Sequence, residues 1–281
     1  MARIGFLVLL AACTEPVIEE PTTVYVSDYR ANAIVRYDLT GELIDVFAEG
    51  AAQRVDRPTS VRRGPDGQLY SAGFGRGDIN RYADDGQMTG VFYWDTRLLE
   101  EPVELEFQGD HLFVLGNDTR NLVEIDAAGR FVRELGYPMM RGAQDFVLDG
   151  HLAYVATEHH PQLGTSLQVW DLDTGALTRS FATLEEVAFA SGLTLHDGTL
   201  LVSDLERGTI TRFDPATGAN LGILVEGLLL PVEIDLGPDG QLYALDLTGL
   251  HAFDVTTGAA LGTLIEVAGG PLERPLGFTF D

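Results

Sequence analysis

Acidic side chains recur at equivalent places in this chain. Glu104, Asp145 and Glu233 each lie two residues after a Pro or Ala (Pro102, Ala143, Pro231) that opens a repeated stretch. Ser60, Gly192 and Gly277 hold the same place after Pro58, Ala190 and Pro275. Three carboxylates brought together without cysteine form an oxygen-rich set, which suits a hard cation, Ca²⁺ or Mg²⁺, better than zinc. The same groups have a second reading, in which each accepts backbone N–H hydrogen bonds at a neighbouring strand start and pins the loops. In a third, an acidic entrance takes a cationic ligand. His159 and His160 stand in the loop 157–164. Adjacent side chains of an extended segment point opposite ways, so at most one of them could join Asp145 as an accessory group or base. The other reading of that loop is a solvated polar segment. No Gly-x-Ser-x-Gly elbow, His-Glu-x-x-His helix or dinucleotide glycine fingerprint occurs. Residues 73–77, Gly-Phe-Gly-Arg-Gly, read as a turn between strands.

What must position these groups is a repeat. One unit runs Pro231-Val-Glu-Ile-Asp-Leu, then Pro238-Asp-Gly, Leu242-Tyr-Ala-Leu-Asp, Leu250-His-Ala-Phe-Asp, Thr257-Gly and Leu261-Gly-Thr-Leu-Ile. Four short apolar stretches separated by turn residues predict a four-stranded antiparallel sheet. Starts at 58, 102, 143, 190, 231 and 275 are spaced by 44, 41, 47, 41 and 44 residues, the period of propeller blades. The first blade begins at its second strand, Val24-Tyr-Val-Ser-Asp28, and Pro275-Leu-Gly-Phe-Thr-Phe-Asp281 supplies its missing first strand. The expectation is all-β: a six-bladed β-propeller over residues 23–281, closed by the C-terminal strand pairing into the N-terminal blade. First strands then line the channel, which brings Glu104, Asp145 and Glu233 to one mouth. The loops around that mouth carry Tyr93-Trp94, Leu98-Leu99, Tyr137-Pro-Met-Met140 and Leu228-Leu-Leu230, an apolar set suited to a partner surface wherever it stays exposed.

The opening Pro, the Asp-Gly-x-Leu-Tyr second strand and the apolar-x-Arg-Phe/Tyr-Asp third strand (Ile34 to Asp38, Ile210 to Asp214) resemble NHL-repeat and SMP-30/gluconolactonase-like propellers. That resemblance implies the fold over residues 23–281. It also raises a metal-dependent lactonase-like hydrolase, in which an Asn and an Asp one residue after the opening Pro hold the metal. Here those positions are Thr59, Val103, Gln144, Ser191, Val232 and Leu276, so the ligand set does not carry over. The acidic set is displaced by one residue, which in a regular strand is the opposite face.

Arg3 followed by the short apolar run 4–10 is too brief to span a bilayer and reads as an export signal. Leu10-Ala-Ala-Cys13 resembles the lipobox of bacterial lipoproteins, which implies cleavage after residue 12 and acylation of Cys13, the only cysteine. Residues 1–12 are then signal, 13–22 a lipidated tether, and the lipid bilayer a partner. Thr14 in place of Asp favours the outer membrane over the inner one. The net charge of -25 disfavours nucleic acid as a partner class, and the absence of lysine among 18 basic residues removes Schiff-base and P-loop lysines. The reading is a tethered, non-catalytic binding or scaffold propeller for a protein or small-molecule ligand. The alternative is the lactonase-like hydrolase.

Overall fold

Turn chemistry cuts the chain into strands. In the first hairpin of the repeat that opens at Pro58, Asp66 Oδ1 accepts the Gln68 amide at 3.1 Å while Gly67 takes φ 77°, a left-handed conformation that a side chain disfavours. Equivalent turns recur along the chain, and the computed structural model, which describes residues 23–158 and 162–281, shows six four-stranded antiparallel sheets. They are numbered here as blades 1 to 6 in chain order. Cys13, the tether, His159 and His160 lie outside the described residues. The helical content of the described residues is a single 3₁₀ turn, Ala51–Gln53.

Innermost strands are Pro275–Phe280 in blade 1, then Pro58–Arg63, Pro102–Gln108, Asp145–Asp149, Ala190–His196 and Glu233–Leu236. Blade 1 is the composite one. Its inner strand comes from the C-terminus and pairs antiparallel with Thr23–Asp28, in the register Val24↔Phe280 and Val26↔Phe278. This is the closure that the sequence predicts.

Each sheet is apolar on both faces, and blade against blade is where the core lies. Six buried clusters occupy six seams. Val24, Val26 and Val35 of blade 1 pack on Leu245 and Leu250 of blade 6. Tyr25 and Ile34 of blade 1 pack on Val61 and Tyr82 of blade 2. Four further clusters fill the remaining seams, so the ring has no unpacked junction.

One irregularity positions the site. Ladders of inner strands shift register close to the opening residue, between Pro58 and Val61, between Pro102 and Glu104, and between Ala190 and Leu193. A bulge of this kind re-aims successive side chains, so the strict alternation of a strand fails at the channel mouth.

Candidate functional site

The mouth cavity has a volume of about 160 Å³. Its wall is a ring with one residue from each blade: Thr59, Val103, Gln144, Ser191, Val232 and Leu276. Glu104, Asp145 and Glu233 also line it. Positions one and two after the opening residue therefore both reach the channel, which corrects the expectation that they face opposite ways. In blades 2, 3 and 5 the bulge is the reason, and in blades 4 and 6 the amides of Gln144 and Val232 bond to Ala156 and Leu245, the residues already paired with Asp145 and Glu233.

Buried hydroxyls stitch the wall together. Thr59 Oγ1 donates to the Pro102 carbonyl at 2.8 Å, and Ser191 Oγ to the Pro231 carbonyl at 2.7 Å, each reaching the following blade. Ser60 is fully buried and donates to Glu104 Oε1 at 2.7 Å.

The carboxylates follow the backbone-pinning pattern. Asp145 accepts the amides of Phe146 at 2.6 Å and, in the next blade, Leu193 at 2.5 Å. Glu233 Oε2 accepts the amide of Phe278 in the adjoining blade 1 at 2.6 Å. Glu104 Oε1 accepts the Leu105 amide at 3.0 Å. The cation at the heart of the cluster is the chain's own. Arg62 Nη2 lies 2.9 Å from Glu104 Oε1 and 2.8 Å from Glu233 Oε1, while Nη1 donates to the Phe278 carbonyl at 2.8 Å. Glu104 and Glu233 belong to blades 3 and 6, which stand opposite in a six-membered ring. A group bonded to both lies across the channel axis, so the guanidinium floors the cavity.

Charge in this floor is unbalanced. Burial pushes the Glu233 carboxyl up to about 8, with repulsion from Glu104 adding to it and Arg62 opposing. Burial likewise raises Glu104 against the pull of Arg62, and lifts Asp145 well above the carboxylate range with help from Glu104 and Glu233. Below them, Glu106 accepts the Leu148 amide at 3.0 Å and is pushed up by burial to about 8. Burial also works against the charge on Arg62, but Glu104 and Glu233 outweigh it and hold the guanidinium charged.

A resident Ca²⁺ or Mg²⁺ fits this donor set poorly. Among the described residues no three His, Cys, Asp or Glu side chains converge as ligands, and the oxygens that do converge share Arg62. Arg62 and Glu106 escape a reading confined to the second residue after each opening. Both lie four residues after it, on the same strand face, where a second channel layer belongs.

Polar side chains at the ends and edges of other strands are structural. Asp28, Asp204 and Asp246 at second-strand ends cap loop amides: Asp28 takes those of Arg30, Ala31, Glu273 and Arg274. His251 is structural, bonded to Asp246, Thr248 and Thr263. His111 is not a free surface group, since its Nδ1 pairs with buried Glu124. Residues 73–77 form the expected turn between two strands.

Around the mouth the apolar loops divide. Tyr93, Leu99 and Met140 are buried between blades, while Trp94 is 64% and Tyr137 67% exposed. Leu229 and Leu230 are exposed too, joined by Leu184 and Leu247, which the sequence reading passed over. Arg57, Glu101 and Leu230, each directly before an opening Pro, hold φ of 52°, 50° and 56°. Left-handed geometry at a bulky residue costs on the order of 1–3 kcal/mol and persists where the surroundings impose it. Arg57 stacks over Tyr29 and Phe74, and Arg274 over Tyr29, at 5.3–5.8 Å from the ring centres.

Compared with solved structures, the chain is similar to one chain of the nidogen/laminin complex, with a TM-score of 0.73 and 16% identity over 92% of this chain and 98% of that one. It is also similar to virginiamycin B lyase from Staphylococcus aureus, with a TM-score of 0.65 and 13% identity over 86% of this chain and 80% of the lyase. The likeness is one of fold. No protein-family model and no curated protein matches the sequence. A propeller of this architecture serves binding in one neighbour and carries a lyase's name in the other, so function must be argued from the mouth itself.

Proposed function

We propose that this chain is a binding or scaffold propeller, displayed on a bacterial membrane, with the outer membrane favoured, through lipid on Cys13. Its working surface is the face around the channel mouth. The observation that carries this reading is the pairing of an exposed apolar rim with an interior whose carboxylates are held in place by hydrogen bonds. Trp94, Tyr137, Leu184, Leu229 and Leu247 are exposed on loops of that one face, and apolar side chains so placed mark a docking surface. Beneath them each carboxylate is bonded to backbone amides, to Arg62 or to both, and among the described residues none pairs with a nucleophile as its base. Nothing in the donor set favours the metal-dependent hydrolase.

Two experiments test the reading. A photocrosslinking residue at Tyr137 or Leu229 in the cells of origin should capture one common product, and one at Asp197 or Asp239, on the opposite face, should not. Equal capture from both faces, or lactone turnover that disappears in Glu104→Gln, would overturn it. For the anchor, Cys13→Ser should move the protein from the membrane fraction to the soluble fraction. Retention in the membrane would defeat the lipid proposal.

A further inference from the structure

In their ionised form the polar groups that line the mouth are almost all acceptors. Thr59 and Ser191 commit their hydroxyl protons to the carbonyls of Pro102 and Pro231, which leaves only oxygen lone pairs. Gln144 donates through Nε2 to the Gly142 carbonyl at 3.1 Å, and no described residue bonds to its Oε1. Glu104, 4% exposed, takes its hydrogen bonds on Oε1, and Oε2 receives none from the described residues. Asp145 is met by backbone amides alone, with no cationic partner among the described residues. Among the described lining residues, the side-chain donors left over are the second Nε2 proton of Gln144 and the guanidinium of Arg274, which is exposed. The complement of such a lining is a group that donates and cannot accept, and the acidic charge narrows this from Trp, Lys and Arg to the ammonium of Lys or the guanidinium of Arg.

Shape agrees with charge. Val103, Val232 and Leu276 supply apolar wall for a methylene stem. A cavity of about 160 Å³ matches one long side chain better than a drug-sized ligand, whose sites run to roughly 300–1,000 Å³. A free amine would fill the hole and leave the rim bare. A polypeptide would cover both.

We infer that the mouth accepts one cationic side chain from a partner polypeptide, whose neighbouring apolar residues lie on the rim of Trp94, Tyr137, Leu184, Leu229 and Leu247. This rests on the proposed function and names the chemistry of the partner. The ammonium replaces its water shell with the oxygens of Gln144, Glu104 and Asp145, and partially offsets the negative excess that Arg62 leaves.

The test uses the mature chain and three blocked tripeptides, acetyl-Leu-Lys-Leu-amide and its norleucine and glutamate counterparts, with n-butylamine as the small amine. Binding is followed by calorimetry and by the backbone amide resonances of Phe146 and Leu193. The lysine peptide should bind at least about tenfold more tightly than the norleucine peptide, the scale of one charged hydrogen-bonded contact. Asp145→Asn should erase that preference. Gln144→Leu, which removes an acceptor without touching the amide-bonded carboxylates, should reduce it in a protein that still folds. Leu229→Ser should weaken the lysine and norleucine peptides alike. Equal affinity for those two peptides, both sensitive to Leu229→Ser, would overturn the cation inference and leave the docking face standing. Butylamine matching the lysine peptide would overturn the polypeptide partner. Absence of binding by every peptide would overturn the inference outright.

Discussion

At the scale of single residues, Arg62 decides how the channel behaves. It is one guanidinium among five channel carboxyls, Glu104, Glu106, Asp145, Glu233 and Asp235, and it alone touches opposite sides of the ring. Removing one partner of a buried charge cluster leaves the others uncompensated, so Arg62→Met should cost about 3–5 kcal/mol in urea unfolding at pH 8. The loss should shrink at pH 5, where Glu104 and Glu233 take up protons cheaply. An equal loss at both values would mean that Arg62 acts by packing. Glycine at the equivalent positions has a different logic. A Cβ on Gly277 would stand 2.3 Å from the Thr59 carbonyl, whereas one on Gly150 would meet nothing within 4 Å. Gly277→Ala should therefore cost more than Gly150→Ala, whose penalty is the left-handed φ of 60° at about 1–2 kcal/mol. The reverse order in thermal melts would show that the inner strands can part without strain. Glu104, Asp145 and Glu233 are legible from the sequence because they replace small residues at a repeated position. Arg62 is not, because an arginine on a strand reads as surface until the ring curls that strand inward.

At the scale of elements, the blade count and the closure are legible because turns punctuate the chain. Pro-Asp-Gly and Thr-Gly mark the hairpins, and the missing first strand of blade 1 has an obvious donor in residues 275–281. The bulges at inner-strand starts are not legible, since no residue type signals them. Their effect was to turn a one-residue displacement into two adjacent channel layers. The exposed rim was half legible: of Tyr93 and Trp94, and of Tyr137 and Met140, one is buried between blades and the other is exposed, and composition alone does not say which. Closure itself can be tested through Phe278, which is fully buried in the blade 6–blade 1 seam and whose amide and carbonyl hold Glu233 and Arg62. Phe278→Ala should cost about 3–5 kcal/mol through the cavity it leaves. Hydrogen exchange should also quicken at Val24 and Val26, on the neighbouring strand, and at Leu245, across the seam, more than in the opposite blade 4. Uniform quickening round the ring would mean that the blades do not open seam by seam.

At the scale of the whole molecule, charge governs how stability should depend on pH. Glu233 and Glu106 are pushed up to about 8, and Glu104 and Asp145 are raised with them, against ordinary values near 4. Between those limits the folded state holds more protons than the unfolded one, so stability falls as pH rises from about 4.5 to about 8. Asp246 acts the other way. Burial works to raise it, but the His251 hydrogen bond and the amides of Leu229 and Thr248 hold it far below the carboxylate range, so its contribution is lost on acidification below about pH 4. The two trends place the maximum at about pH 4–4.5, below the neutral optimum of many proteins. The net charge of -25 adds repulsion that also grows with pH, but salt screens repulsion between surface charges and leaves the buried floor largely untouched. Melting temperature should thus fall from pH 5.5 to pH 8.5 even in 0.5 M NaCl, each kcal/mol moving it by about 2–4 °C in a chain of this size. Glu106→Gln retains an acceptor for the Leu148 amide and removes one titrating group, and should flatten the fall. A melting temperature that rises toward neutral pH in high salt, or a Glu106→Gln profile parallel to the parent's, would show that the channel carboxyls stay ionised in the folded ring.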